Sequence, residues 1–365
     1  MQFEKRLSTG LDVISAVRDN APVKFVTARR QGDDNLEVFR TFPAVDTIPL
    51  LQFAFGGRQF CGDAVELMGT ADWPLIWIHG DGCSGENVSG TQAYALAPHD
   101  VRRLTLDGAV VGTIFEDDDA EYCYLGGVLP EDKSASRMDQ ARSVFERIEA
   151  LVGQAGMGFS DVIRTWLFLD DLLDWYDDFN VVRTQFFNER GVFDGIVPAS
   201  TGIGAANPQL AALVSGAIAI RPKHSGTRAF AVPSPLQCPA LDYKSSFSRA
   251  VEVEFPDHRQ LLISGTASIH PDGISAHLGD TDKQIDLTMR VGGAILESRG
   301  MGWSDVTRMI AYFKDMREAE RLAVYCKQQN IPQLPVVCCH AAVCRDDLLF
   351  EIELDAAKAG PSLPN

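Results

Sequence analysis

The sequence predicts an α/β protein of the α+β type in which one unit of strands and helices occurs twice. Residues 156–162 (GMGFSDV) return as residues 300–306 (GMGWSDV), an offset of 144 positions. The same offset pairs Gln140 with Gln284. A short phrase repeated by chance would not bring its neighbours with it, so we predict the internal duplication of a whole domain.

The same elements surround each copy of the phrase. Segments 140–152 and 284–296 carry apolar residues three and four apart, which predicts amphipathic helices, and Gly156 and Gly300 suit the residue that ends such a helix. Apolar, β-rich runs after the phrase predict strands. The remaining elements of the two copies are strands at 122–129 and 260–269, strands at 162–169 and 306–313, and helices at 174–188 and 316–329. Two closing strands complete the predicted order ββαβαββ.

The length of 365 residues and the hydrophobic content of 45% suffice for two or three domain cores. We predict an N-terminal region at 1–118, a first repeat at 119–222, a linker with a first strand at 223–259, a second repeat at 260–357 and a tail at 358–365. Residues 1–118 contain strand-like runs but no copy of the phrase. Whether they form a degenerate third unit stays open at this stage.

Charge and composition exclude several classes of partner. The net charge of −17, without a basic cluster, argues against nucleic acid and anionic membranes. No apolar run is long enough for a membrane span, and the amino terminus has no signal core. The eight cysteines lie scattered in apolar runs, which indicates reduced core residues. We therefore predict a cytoplasmic protein, monomeric or a small homo-oligomer.

Two local motifs suggest ligand sites but lack the surrounding pattern. Residues 80–85 (GDGCSG) satisfy the dinucleotide-binding string, yet no amphipathic helix follows, so we predict a glycine-rich loop. Cys338, Cys339 and His340 have no partners at ligand spacing, and adjacent strand residues face opposite sides. We predict no metal site.

Glu351 is the most informative single residue. It lies in the apolar run 348–354, where strand alternation places Glu351 and Glu353 on one face and Phe350 and Ile352 on the other. A half-exposed edge or interface strand with solvated carboxylates would explain this pattern. The corresponding run of the first repeat, 213–220, contains no acid. The carboxylate thus belongs to one copy only.

Two copies of strand, helix, Gly-x-Gly, Asp-Val and strand, closed by Phe-Glu-Ile-Glu at 350–353, resemble the RidA (YjgF) fold, also called chorismate mutase-like. The second repeat resembles a RidA domain from Ile263 to Ala356. RidA-type imine deaminases carry a substrate-binding arginine in a Pro-Ala-Arg segment. The matching places here read PAS at 198–200 and PVV at 335–337. The missing arginine argues against deaminase activity.

The whole chain, at least from 70 to 357, resembles the chorismatases, which join RidA-like modules and release pyruvate from chorismate. The matching segments are RTWLFL at 164–169, FNVVR at 179–183, PASTGIG at 198–204 and CRDDLLFEIE at 344–353. The resemblance implies that Glu351 is the catalytic acid, that chorismate is the substrate, and that no metal or organic cofactor is required. A buried Glu could remain protonated near neutral pH and donate a proton to the enol ether.

The resemblance also bears on the product. Cys344 and Gly265 match the chorismatases that form 3-hydroxybenzoate, while the hydrolytic type, which gives a dihydroxycyclohexadienoate, has Ala at both positions. Cys344 is expected to shape the pocket or to aid ring opening. A mixture with 4-hydroxybenzoate stays open, as do the hydrolytic product, an imine deaminase and a non-catalytic small-ligand binder.

Chorismate is a dianion, so cations and backbone N–H groups should hold its carboxylates. The predicted substrate-binding residues are Arg164, Arg183, Arg345, Thr201, Gly202 and Tyr124, together with Gly265.

Overall fold

The computed structural model describes residues 2–17, 22–41, 47–69, 71–79, 87–243 and 245–360, which form three six-stranded sheets. All three sheets share one topology. Three antiparallel strands come first, a helix and a strand follow, a second helix leads to a strand parallel to the previous one, and the last strand inserts into the centre of the sheet. We call these the first, second and third units, residues 2–96, 102–222 and 228–359.

The first unit has the strand order β1-β2-β3-β6-β4-β5. Its strands are β1 (Gln2–Arg6), β2 (Leu11–Val17), β3 (Val23–Arg29), β4 (Ile48–Phe55), β5 (Leu75–Ile78) and β6 (Gly90–Leu96). Two short helices, α1 (Glu37–Thr41) and α2 (Cys61–Leu67), join β3 to β4 and β4 to β5.

The second unit has the order β7-β8-β9-β12-β10-β11. Its strands are β7 (Arg102–Leu106), β8 (Ala109–Glu116), β9 (Ala120–Val128), β10 (Val162–Leu169), β11 (Ala199–Gly204) and β12 (Leu213–Pro222). Two helices of 18 residues, α3 (Arg137–Gln154) and α4 (Leu172–Glu189), cover one face of this sheet.

The third unit repeats the order as β13-β14-β15-β18-β16-β17. Its strands are β13 (Arg228–Val232), β14 (Ala250–Glu254), β15 (His258–Ala267), β16 (Val306–Phe313), β17 (Val336–His340) and β18 (Phe350–Ala359). Helices α5 (Thr281–Ser298) and α6 (Glu320–Gln328) cover its outer face.

The repeated phrase forms the same turn in both copies. Gly156 (φ 73°) and Gly300 (φ 63°) adopt the left-handed conformation that ends α3 and α5. Asp161 then accepts a hydrogen bond from the N–H of Gly158 at 2.8 Å, and Asp305 does the same for Gly302 at 2.9 Å. The phrase is therefore a local helix-to-strand connection that each copy needs.

The predicted duplication is confirmed, and the first unit is a further copy of the topology. Each unit has one strand more than the predicted order ββαβαββ. Strands β7 and β8 precede residue 119 yet belong to the same sheet as β9, and β13 and β14 both lie in the segment predicted as a linker with a single strand. The predicted boundaries thus cut through two sheets. Edge strands such as β7 and β13 are partly exposed, so their apolar patterns are weak.

The inner faces of the three sheets pack against one another, while the helices lie outside. Phe53 of the first unit, Trp166 of the second and Tyr312 of the third belong to one buried cluster. The rings of Phe53 and Trp166 lie 5.0 Å apart in an edge-to-face arrangement. Strand β18 pairs with β15 on one side and β16 on the other. It is therefore a central strand, and the alternative of a half-exposed edge strand at Glu351 is wrong.

Candidate active site

A cavity of about 1030 Å³ lies between the second and third units. Helix α4 and strand β11 form one wall, and β15, β18 and the loop before β18 form the other. Six of the residues predicted from the sequence line it: Glu351, Cys344, Gly265, Arg183, Gly202 and Arg345. The fold thus brings together side chains that are up to 168 positions apart in the chain, from Arg183 to Glu351.

Glu351 contributes a buried carboxyl group to the wall of this cavity. Its side chain is only 4% exposed and faces inward from the centre of the sheet. Burial raises the pKa of its carboxyl to about 8, the neighbouring carboxylate of Glu353 contributes in the same direction, and Arg249 and Arg164 oppose the rise. The carboxyl therefore carries its proton at neutral pH and can donate it.

The raised pKa predicts a specific dependence of stability on pH. Folding takes up a proton at Glu351 between the ordinary pKa of 4.5 and the folded value of about 8. The contribution of this group is fully present below pH 4.5 and is lost as pH rises through 8, a change of roughly 4–5 kcal/mol. We expect Glu351→Gln to remove it, so that the variant gains stability relative to the parent as pH rises. Thermal unfolding of both proteins at pH 5 and pH 8.5 measures this, and equal pH dependence would contradict it.

Gly265 leaves the space that the Glu351 carboxyl occupies. A Cβ at position 265 would overlap a carboxylate oxygen of Glu351 and lie 3.3 Å from its Cδ. The Gly265 N–H donates to the hydroxyl of Thr201 at 3.1 Å, which fixes the backbone at this point. A methyl group at position 265 would therefore require the Glu351 carboxyl to shift.

Cys344 lies beside Glu351 and is half-buried. Burial raises the pKa of its thiol to about 12, and the charge of Glu351 acts in the same direction. The thiol is therefore neutral at physiological pH. Because the thiolate is the nucleophilic form, the neutral thiol of Cys344 is not suited to act as a nucleophile or base.

Three arginines line the cavity: Arg183, Arg249 and Arg345. Arg183 donates to the side-chain oxygen of Asn180, and Arg345 donates to the carbonyl of Gly273 at 2.8 Å. Arg249 donates twice to the carbonyl of Cys238, at 3.0 and 2.9 Å. These contacts hold the three guanidinium groups in place at the cavity wall.

Arg164 and Thr201 lie behind the cavity wall instead of lining it, contrary to their predicted contact with the substrate. Both are fully buried. Arg164 donates to the Thr201 hydroxyl at 2.7 Å and to Glu353 at 2.8 Å. These two residues thus support the wall on which Gly202 and Gly265 lie.

Tyr124 is not part of the site. Its side chain belongs to the buried core between the sheets, where its ring lies 5.5 Å from that of Tyr94 and 6.0 Å from that of Phe115. Its place on the inner face of β9 explains the difference, because that face packs against the first unit. Tyr124, which the sequence predicted to bind the substrate, instead packs in the core.

Comparison with known proteins agrees with this architecture. The family model described as Endoribonuclease L-PSP matches residues 120–221, within the second unit. A chorismatase from Streptomyces hygroscopicus is 26% identical over 253 residues, which cover 63% of this chain and 71% of that protein. A 3-hydroxybenzoate synthase from the same organism is 28% identical over 265 residues, 64% of this chain and 74% of that protein. The chain is similar to these chorismatases over about two thirds of its length. A crystal structure of a chorismatase has the same fold, with a TM-score of 0.67 at 18% identity, covering 93% of this chain and 100% of that chain.

The three units of this chain meet at three similar interfaces. Strand pairing identifies the matching positions, because each unit has a register shift at the same place in its central strand pair. Counted from that shift, Thr201 of the second unit matches Ile76 of the first and Val337 of the third. In the same way, Glu351 of the third unit matches Val214 of the second and Gly90 of the first.

Apolar side chains close the other two interfaces. Ile76 of the first unit packs against Gly216 of the second unit. A Cβ at Gly216 would lie 2.6 Å from Cδ1 of Ile76. Val337 of the third unit packs against the first unit, 3.1 Å from the place of a Cβ at Gly90. Among the three interfaces of the described units, the polar pair Thr201 and Glu351 occurs at the one between the second and third units.

Three further sequence predictions concern metals, membranes and the glycine-rich loop. Across the described ranges, no group of three or more His, Cys, Asp or Glu side chains is arranged to hold a metal ion. Among the helices of those ranges, none is both long and apolar enough to cross a lipid bilayer. The glycine-rich segment 80–85 lies outside the described residues.

Proposed function

We propose that this protein converts chorismate to pyruvate and 3-hydroxybenzoate, with Glu351 as the general acid. The observation that carries the proposal is the environment of Glu351: a buried carboxyl, protonated at neutral pH, that faces a cavity lined by three arginines. Arg183, Arg249 and Arg345 supply the positive charge that a dianionic substrate needs. The similarity to the 3-hydroxybenzoate synthase supports the choice of product.

The chemistry follows from these groups. Glu351 protonates the enolpyruvyl group, the bond between its ether oxygen and the ring breaks, and pyruvate leaves. The neighbouring ring hydroxyl displaces the leaving group from within the molecule and gives an epoxide, which opens to the aromatic hydroxybenzoate. No water is consumed in this route. In the hydrolytic alternative one water is consumed, and the ring product is the dihydroxycyclohexadienoate.

Incubation of the purified protein with chorismate in ¹⁸O-labelled water tests the proposal. We expect release of pyruvate, measured with lactate dehydrogenase, and 3-hydroxybenzoate without ¹⁸O in the ring product, measured by liquid chromatography and mass spectrometry. A dihydroxycyclohexadienoate, with or without the label, would instead identify the hydrolytic reaction. 4-Hydroxybenzoate alongside the 3-isomer would identify the mixed product. Absence of pyruvate would contradict the proposal.

Cys344→Ala is expected to shift the product ratio towards the dihydroxycyclohexadienoate by about tenfold. The smaller side chain leaves room for a water beside Glu351, and a change of about 1.4 kcal/mol in the competition between water and the ring hydroxyl produces a tenfold change in ratio. Quantifying both ring products against pyruvate measures the shift. The more conservative Cys344→Ser keeps nearly the same volume and serves as the control. An unchanged ratio in Cys344→Ala with intact turnover would show that Cys344 only packs.

We further propose that the protein acts in the cytoplasm. We expect a monomer or a small homo-oligomer, since three units already pack together within one chain. Sedimentation of the purified protein measures its size.

A further inference from the structure

A cluster of buried charges lies where the three units meet, behind the cavity. The Glu353 carboxylate accepts hydrogen bonds from Arg164 at 2.8 Å, from Arg308 at 2.7 Å and from the indole of Trp166 at 2.8 Å. Glu353, Arg164 and Arg308 are at most 1% exposed. Burial alone would raise the pKa of Glu353, but Arg308 and Arg164 outweigh it and lower the pKa. Glu353 is therefore an ionised carboxylate in the protein interior.

Glu353 and Glu351 face the same side of strand β18. They are two residues apart, so alternation places their side chains next to each other, about 7 Å apart along the strand. Glu351 lines the cavity, whereas Glu353 does not. Glu353 therefore cannot contact a substrate in the cavity, but its charge acts on the carboxyl that does.

Groups on four elements act electrostatically on Glu351. Glu353 on β18 disfavours its ionisation, as burial does, while Arg249, directly before β14, and Arg164 on β10 favour it. The thiol of Cys344, in the loop before β18, also couples to it and is neutral. Arg164 forms an ion pair with Glu353. The negative charge of Glu353 therefore offsets much of the effect that the positive charge of Arg164 has on Glu351.

We propose that Glu353, held ionised by Arg164 and Arg308, is a positioning residue that keeps Glu351 protonated for proton donation. The proposal rests on the proposed function of Glu351 as an acid. It also agrees with the comparison of the three units: strand pairing matches Glu353 to Gly216 in the second unit and Gln92 in the first. The ionised carboxylate thus occurs in the unit that carries the cavity acid.

The test measures the protonation of Glu351 directly, by NMR of protein labelled with ¹³C at the glutamate side-chain carboxyl. Loss of its resonance in Glu351→Gln identifies Glu351. In the parent protein this resonance should titrate with a midpoint near pH 8. In Glu353→Gln we expect the midpoint to fall by at least about one pH unit, because a unit charge about 7 Å away in a partly polar interior accounts for a shift of this size.

Asp355→Asn provides the matched control. Asp355 belongs to the same cluster, accepts hydrogen bonds from Arg308 at 3.1 Å and from Tyr94, and faces the same side of β18, but it lies four residues from Glu351 instead of two. Its substitution removes the same charge from the cluster at about twice the distance. We expect less than half of the shift seen in Glu353→Gln. Equal shifts in the two variants, or no shift in Glu353→Gln, would overturn the proposal.

Arg164→Gln covers the case in which Glu353→Gln does not fold. Removal of this positive charge should raise the midpoint of Glu351, and an unchanged or lower midpoint would count against the proposal. If the parent shows no glutamate that titrates above pH 6 and disappears in Glu351→Gln, the proposal is also overturned, whichever variants fold. The NMR titration needs no substrate. A protein that titrates as expected but releases no pyruvate from chorismate would therefore contradict the proposed function and leave the role of Glu353 supported.

Discussion

Glu351→Gln is expected to abolish pyruvate release from chorismate while the fold stays intact. Glutamine has the shape of the protonated carboxyl but no proton to transfer at the enol ether. General acid assistance commonly contributes about 10²–10⁴-fold to a rate, so turnover should fall by at least about 10²-fold. The rate of pyruvate formation at saturating chorismate measures the loss, and circular dichroism with thermal unfolding verifies the fold.

Glu252→Gln is the matched control for this experiment. Glu252 is a buried glutamate of the same unit, on β14, but it pairs with Arg299 at 2.6 Å and does not line the cavity. We expect its substitution to lower stability more than turnover. If Glu351→Gln retained turnover close to that of the parent, the acid would have to be another group, and Glu351 would be a buried strand carboxylate without a part in the reaction.

Gly265→Ala is expected to reduce pyruvate release by about 10²-fold. The new methyl group would overlap the carboxylate oxygen of Glu351, so the acid must move aside within a wall that the hydrogen bond from Gly265 to Thr201 holds in place. Displacement of a reacting group by about 1 Å can cost about 10²-fold in rate. We also expect the remaining product to contain more dihydroxycyclohexadienoate, most clearly in combination with Cys344→Ala. Kinetics with chorismate and chromatography of the ring products measure both effects.

Gly202→Ala separates this effect from the simple addition of a methyl group to the cavity wall. A Cβ at Gly202 would lie 3.4 Å from the Tyr176 hydroxyl, which is an ordinary contact. We expect a change in rate of less than about tenfold. Similar losses in the two variants would show that the cavity tolerates no added volume at all, and the specific conflict between position 265 and Glu351 would lose its support.

Local patterns predicted most of the second and third units. Strands 162–169 and 306–313 agree with β10 and β16, because buried central strands are continuous apolar runs. Helices α3 and α5 extend the predicted segments by only two or three residues at each end, because the glycine turns that follow them are encoded in the repeated phrase. The first unit was harder to recognise, since its helices α1 and α2 have only five and seven residues and give little periodic signal.

The site was predictable where a residue belongs to a motif and less so where its role depends on packing. Glu351, Cys344 and Gly265 came from the resemblance, and the cavity brings them together. The sequence did not indicate Arg249 as a site residue, because it lies in the segment predicted to be a linker. Its position at the cavity depends on the pairing of β14 with β15. Glu353 could be placed on the face of Glu351, but its ion pair with Arg164 joins residues 189 positions apart.

The three units lie in one covalent chain, and this changes how their interfaces can evolve. In a trimer of identical subunits every substitution appears at all three interfaces at once, so a side chain that improves one of them must be tolerated by the other two. In the fused chain, Ile76, Thr201 and Val337 can differ at matching positions. Selection can then favour close apolar packing at the interfaces of Ile76 and Val337. At the interface of Thr201 it can favour the polar groups of the cavity, because the three positions vary independently.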